Sequence, residues 1–291
     1  MTVVWVALAA AVAFGCSTAL MHHGVSSAPS DVRGFLMLLR HAVSQWRWLL
    51  GFAASLAGLG LHATALHLGS LAVVQPIVVS GLVFGLVFRA ALERRLLRSS
   101  EMAMVILVAV GLCLFLVAAG SSGGRRHPSE GAALVVLAVG AAGATAGWRL
   151  SRRARPHRAG FLLGAAAGVV FGLIAGTLKV LAGAVAGQAS VFTTWPLYVL
   201  IVLGVVGFLL NQKAYHVAPL AASLPALNVV NPVVALVFGV TVFGEQPGSD
   251  ATAVLLETVG FGMLLVGIAL LARSDAPPSV PLEVSPEGVL C

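Results

Sequence analysis

The sequence is poor in charge. Of its 291 residues only 9% are Asp, Glu, Lys or Arg, whereas 59% are hydrophobic. A soluble protein carries about 25% charged and about 45–50% apolar residues. This chain therefore has too few charged residues to form the water-exposed surface of a soluble protein. Its net charge of +7 raises the question of nucleic-acid binding. However, the charges lie almost wholly between hydrophobic segments, which argues against a nucleic-acid partner.

Cysteine and catalytic motifs are also scarce. The three cysteines, Cys16, Cys113 and Cys291, are odd in number, and two of them lie inside apolar runs. They form neither a disulfide framework nor a CxxC metal site. The chain has no HExxH, GxSxG or P-loop motif and no paired carboxylates within its apolar segments. We therefore expect neither an enzyme nor an ATP-driven pump, and no cofactor.

Apolar runs of membrane-spanning length are abundant. About 20 apolar helical residues cross the hydrocarbon core of a bilayer. The sequence therefore predicts an all-α polytopic membrane protein with nine transmembrane helices, placed in the cell membrane. We expect the first span to stay uncleaved, because residues 1–20 lack the positive charge of a signal peptide. The predicted spans are 3–21, 47–67, 70–90, 101–120, 131–148, 160–182, 195–214, 219–243 and 252–272.

Lys and Arg are distributed unevenly between the predicted loops. Most of them fall in the loops after the first, third, fifth and seventh spans, and Arg125, Arg126 and Lys179 are the exceptions. Cytoplasmic loops carry an excess of Lys and Arg. This pattern predicts an external N-terminus and a cytoplasmic C-terminus.

Two pairs of similar segments indicate an internal repeat. LAVVQP at 71–76 and LAASLP at 220–225 place proline at the same position, and VFG follows in both. AVAFGCSTAL at 11–20 similarly resembles GVVFGLIAGTL at 168–178. The two members of each pair cross the membrane in opposite directions. Inverted repeats are typical of secondary transporters, whose substrate site lies near the membrane midplane where the repeats meet.

The repeat predicts a four-plus-five arrangement of helices. Residues 1–120 form the first repeat of four helices, and 159–273 form the second. Residues 121–158 supply an extra linking helix with a basic loop. Residues 274–291, rich in Pro, Ser and acidic side chains, predict a disordered cytoplasmic tail.

A longer run carries a family resemblance. Residues 211–245 read NQKAYHVAPLAASLPALNVVNPVVALVFGVTVFGE. This run resembles the second-repeat signature of the drug/metabolite transporter superfamily (EamA-like). GTLKVLAG at 176–183 and LHLGSLAVVQP at 66–76 are similar to its NIPA-type branch, which is associated with magnesium transport in eukaryotes. The resemblance covers roughly 3–272 and implies transport by alternating access.

The chain departs from the NIPA pattern in its second span. That pattern has a glutamate where this sequence has about Leu59, and the span contains no carboxylate. Magnesium prefers oxygen ligands, usually carboxylates. We therefore expect a small-molecule transporter. A NIPA-like carrier of magnesium or another divalent cation and a non-transporting membrane scaffold are the alternatives.

Polar residues and prolines within the spans are the candidate substrate-binding and gating groups. Asn228 and Asn231 share a helix face with Pro225 and Pro232, and each proline is expected to break the helix and free a backbone carbonyl. The two amides either line a polar pocket or hydrogen-bond to a neighbouring helix. The corresponding residues in the first repeat are Gln75, Pro76 and Ser80.

Three ionisable residues lie inside predicted spans. Glu257 is expected to bind a cation or carry a coupling proton, unless it reaches the outer surface. Lys179 either snorkels to that surface or binds an anion. His62 either carries a proton or serves in packing, and its spacing from His67 does not suit a metal pair.

Small residues recur along the sixth span. Gly164, Gly168, Gly172 and Gly176 are four residues apart, which predicts close helix packing and permits a homodimer. Glu245, at the end of the signature run, is expected to cap the turn that follows it.

Overall fold

The computed structural model describes residues 2–26, 44–92, 94, 96–118, 128–217, 220–246 and 250–274. Within these ranges the chain is almost entirely α-helical and contains no strand. The predicted tail lies, from residue 275 onward, outside the described residues. The helices are α1 (Thr2–Ser26), α2 (Trp46–Leu68), α3 (Leu71–Val79), α4 (Gly81–Leu92), α5 (Ser99–Ala118), α6 (Glu130–Ser151), α7 (Pro156–Ala186), α8 (Trp195–Val217), α9 (Leu220–Phe243) and α10 (Ala251–Ser274).

In the described part of the chain, eight segments are long and apolar enough to cross a bilayer, with α3 and α4 together counting as one. The apolar part of α8, Trp195–Asn211, is shorter. Large apolar side chains are exposed on the outside of the bundle, as Leu134, Val135 and Val139 are on α6. The chain is thus an all-α multi-pass membrane protein, which confirms the predicted class.

The third predicted span is interrupted at Ser80. Its first part, α3, contains Pro76, whose nitrogen carries no hydrogen and so leaves the carbonyl of Ala72 without its helical donor. One turn later the Ser80 hydroxyl donates to the carbonyl of Ile77 at 2.6 Å. The span therefore consists of a nine-residue helix and a twelve-residue helix with a turn between them.

Helix α9, unlike the third span, is not interrupted near its prolines. It runs without interruption from Leu220 to Phe243, through both Pro225 and Pro232. The prediction that these two prolines break the helix is wrong. Each proline removes one backbone hydrogen bond, and a transmembrane helix that packs closely against its neighbours tolerates that loss.

The glycine stripe of α7 packs against α9. A methyl group added to Gly164 would meet the carbonyl oxygen of Ser223, and one added to Gly176 would meet the ring of Phe238. The two glycines between them, Gly168 and Gly172, face the intervening turns of α9 in the same way. Because α9 covers the stripe, these glycines do not offer a free surface for a homodimer. A homodimer that forms through another surface stays a prediction.

A second glycine contact joins α5 and α10. A Cβ atom on Gly111 would lie 2.7 Å from the carbonyl oxygen of Gly260, and a Cβ atom on Gly260 would lie 2.7 Å from that of Gly111. The other main packings are α1 on α2 and α4, α7 on α6 and α8, and α9 on α3 and α10. Helix α7 lies at the centre of the bundle and is the most buried span.

We expect Gly172→Ala to destabilise the fold by about 1–3 kcal/mol, because the added methyl group would meet the backbone of α9 at Asn231. Gly183→Ala, on the same helix, is the matched control, since nothing lies within 4 Å of its added methyl group. Thermal unfolding of the purified protein in detergent measures both. Equal melting temperatures for the two variants would contradict the packing described here.

Candidate functional site

Four helix ends meet at one end of the bundle. Helices α2, α7 and α9 approach their C-termini there, and α3 begins there. Lys179 of α7 contacts Glu245, just beyond α9, and both contact the α2–α3 junction at Gly69 and Leu71. These residues, together with Ala72, are called the ion-pair cluster below.

The backbone that follows α9 directs Glu245 into this cluster. Gly244 has a φ of 63°, in the left-handed region that glycine adopts most readily. The N–H of Glu245 then donates to the carbonyl of Gly239 at 3.2 Å, which turns the chain back towards the helix. The side chain of Glu245 is consequently only 1% exposed.

The Glu245 carboxylate caps the N-terminus of α3. The N–H of Leu71 donates to Oε1 at 2.8 Å, and the N–H of Ala72 donates to Oε2 at 3.1 Å. The first amides of a helix have no partner within that helix, and the helix dipole makes them electropositive. The hydroxyl of Ser70 accepts a hydrogen bond from a third amide, the N–H of Val73, at 3.3 Å.

The ammonium of Lys179 neutralises this carboxylate. Its Nζ donates to Oε1 of Glu245 at 2.5 Å and to the carbonyl of Gly69 at 2.8 Å. It also lies 4.6 Å from the centre of the Phe243 ring. A charge removed from water is very unfavourable unless it is paired and hydrogen-bonded, and here both conditions hold.

These contacts bear on two expectations from the sequence. Lys179 does not snorkel to the surface, because its side chain is 12% exposed and binds an internal carboxylate. Glu245 caps α3, an interaction that the sequence did not predict, and most of the turn that it was expected to cap lies outside the described residues. The partners of Glu245 are 66 to 174 residues away along the chain, so sequence spacing did not reveal them. The available signal was that a lysine inside a span requires an anion nearby.

A second polar contact lies one turn into α3. Nε2 of Gln75 and Nε2 of His62 approach to 3.5 Å, and both side chains are buried. The edge of the Phe14 ring packs against the imidazole, with ring centres 6.1 Å apart. The structure thus brings together two predicted site residues from the hairpin of α2 and α3.

The middle of α9 carries amide atoms without partners. Nδ2 of Asn228 and Oδ1 of Asn231 are buried and make no hydrogen bond, and the same is true of Oδ1 of Asn211 on α8. Buried polar atoms are normally satisfied, so each exception needs an explanation. Asn211 was missed as a site residue, although an amide within an apolar span was a usable signal.

The polar groups are spread over a range of depths below the ion-pair cluster. Leu71 packs against Gly239 of α9, so these residues share a level. At a rise of 1.5 Å per residue, Gln75 lies about 6 Å and Ser80 about 13 Å further along the third span. Asn231 lies about 12 Å from Gly239 along α9. Ser80 and Asn231 are therefore at similar depth, near the middle of their spans.

The remaining predicted residues are less informative. The Ser80 hydroxyl is engaged by the carbonyl of Ile77, as described above. Glu257 is buried on α10, the helix that packs on α5 and α9. Over the described ranges, His, Cys, Asp and Glu side chains form no group of three or more that is able to hold a metal ion.

Comparison with known proteins does not name a family. No family model matches the chain. It is 28% identical over 267 residues to an uncharacterized protein of Corynebacterium glutamicum, an alignment that covers 91% of this chain and 89% of the relative. No solved structure matches. The similarity therefore extends over most of both chains.

We expect Glu245→Ala to lower the free energy of unfolding by about 3–5 kcal/mol, because it leaves the ammonium of Lys179 buried without its counter-ion. The control is Glu130→Ala, which removes an exposed carboxylate from the first turn of α6 and is expected to cost only about 0.3–1 kcal/mol. Unfolding of both variants in detergent gives the comparison. An equally small effect of the two substitutions would show that the buried pair contributes little.

Proposed function

We propose that this chain is a secondary transporter of the drug/metabolite superfamily that moves a small polar molecule across the cell membrane by alternating access. The observation that carries the proposal is that matching features from α2 to α5 and from α8 to α10 are separated by one constant distance along the sequence. Amide atoms without a hydrogen-bond partner, one on Asn228 and one on Asn231, then supply a site for the solute at mid-depth. The proposal retains the NIPA-type branch as the nearest resemblance.

The same separation is found between the positions at which corresponding helices of the two halves begin. Helices α3 and α9 begin at Leu71 and Leu220, and the sequence separation of these two residues is called the repeat offset below. The repeat offset also separates the first residues of α2 (Trp46–Leu68) and α8 (Trp195–Val217). Residues 218 and 219 lie outside the described residues, so the shared beginning of α2 and α8 is the boundary that supports the repeat.

The glycine contact between α5 and α10 has the same offset. Gly111 packs against Gly260 and Leu264, whereas Gly260 packs against Gly111 and Phe115. The repeat offset separates Gly111 from Gly260, and it also separates Phe115 from Leu264. When two elements pack around a two-fold axis, every contact occurs twice, once between two residues and once between their equivalents. This repeated contact supports an axis of pseudo-symmetry between these two antiparallel helices.

Helices α1 and α7 fit the same symmetry. The ring of Phe14 packs against Gly58 of α2, and the ring of Phe171 packs against Gly207 of α8. These two glycines are again separated by the repeat offset. The two phenylalanines belong to the matching FG pairs of the first and sixth predicted spans, which are eight residues further apart than the repeat offset. We infer nine spans, with α8 as the seventh and α6 as the extra helix, and an external N-terminus.

The chemistry of the central amides favours a hydrogen-bonding solute. Asn228 offers a free amide N–H and Asn231 a free carbonyl oxygen, three residues apart on one helix face. A molecule with its own acceptor and donor would satisfy both. His62 and Gln75 supply further polar groups towards the ion-pair cluster.

We expect a small polar metabolite to raise the melting temperature of the purified protein, and Asn231→Leu to abolish that shift. A lost hydrogen bond costs about 1–3 kcal/mol, which would weaken binding about fivefold or more. A thermal-shift screen with metabolites and divalent cations identifies the solute, and uptake into proteoliposomes then tests transport. Thr241→Val is the control, because this exposed hydroxyl of α9 bonds only to its own helix.

The same screen separates the alternatives. A NIPA-like cation carrier would be stabilised by Mg²⁺, and Glu257→Gln would remove that stabilisation because it removes the buried carboxylate of α10. A metabolite carrier would not respond to Mg²⁺. A scaffold would respond to no solute and would tolerate Asn231→Leu, and that outcome would contradict the proposal.

A further inference from the structure

We propose that the ion-pair cluster is a one-sided gate: Lys179 and Glu245 must separate before a solute can enter or leave at that end of the bundle. This inference rests on the proposed transport function. It adds two gating residues, neither of which binds the solute.

The position of the cluster supports a gate. It joins α7, the end of α9 and the α2–α3 junction through three hydrogen bonds to Glu245 and one to Gly69. The His62–Gln75 contact and the central amides lie deeper along the same helices. A solute that moves from this end to Asn231 therefore passes between helices that the cluster holds together.

The chemistry of the cluster suits a reversible contact. Apolar side chains of similar size would hold helices together at least as well as a buried ion pair, so stability alone does not call for charges here. The helix that Glu245 caps is only nine residues long and ends at the turn of Ser80. Release of the carboxylate would free the beginning of this short helix without unfolding the long helices beside it.

The repeat offset relates Glu245 to Leu96, which cannot accept a hydrogen bond through its side chain and is 93% exposed. The repeat therefore places no carboxylate at the position equivalent to Glu245. We expect the end that carries the cluster to be closed at rest, and the positive-inside pattern makes it the external end.

The test measures how readily a reporter cysteine at Asn231 reacts with a membrane-impermeant maleimide. The three native cysteines are replaced by alanine, and the reagent is added to either face of the membrane. We expect Glu245→Gln and Lys179→Met each to raise the labelling rate from the cluster end by about tenfold or more, because each breaks a buried pair. Lys179→Met leaves the α3 cap in place, and it is the variant that tests the gate if Glu245→Gln does not fold.

The matched control is Glu101→Gln. Glu101 is also buried and accepts the N–H of Arg98 at 2.7 Å, so it too caps a helix, but at the opposite end of the bundle. We expect it to leave labelling from the cluster end unchanged.

The outcomes separate the two proposals. A reporter that reacts at the same rate in all variants, with only the melting temperature lowered, would reduce the cluster to a structural cap and overturn the gate. A reporter that reacts from neither face in any variant would contradict the pathway itself, and the gate with it. Neither result depends on knowing the solute, because labelling requires no transport.

Discussion

The bundle depends on one carboxylate buried at a helix end. Glu245 satisfies two amides of α3 that would otherwise face an apolar surrounding, and Lys179 satisfies Glu245. Removal of any one partner leaves a charge or an amide without compensation in a region poor in water. This mutual dependence explains how two charged side chains are tolerated in a region poor in water. It also ties together helices from both halves of the chain.

Close packing through glycine is the second constraint. In lipid, helix association depends on van der Waals contact and on small residues that allow backbones to approach. The stripe on α7 accommodates α9, and Gly111 with Gly260 accommodates the crossing of α5 and α10. The proline-containing helix α9 stays regular along that close contact. The third span, by contrast, breaks one turn after Pro76, which leaves α3 short and dependent on the cap that Glu245 supplies.

Much of the fold was predictable from the sequence because the bilayer sets the length of apolar runs. The predicted span 47–67 became Trp46–Leu68, and the glycine stripe was found at a helix contact. The ion-pair cluster was not predictable in the same way, since it joins residues far apart in the chain. The regular course of α9 through Pro225 and Pro232 depends on tertiary packing, which no local pattern records. Asn211 was overlooked because it lies near the end of its span, where polar residues are common.

Alternating access requires that the two ends of the bundle open in turn. Double electron–electron resonance between pairs of nitroxide labels measures this directly, with one pair at Leu68 and Ala186 and the other at Trp46 and Arg158. These pairs mark opposite ends of α2 and α7. If the protein works by alternating access, a solute that stabilises it lengthens the distance at one end and shortens it at the other. Distances that stay single and unchanged at both ends would contradict it.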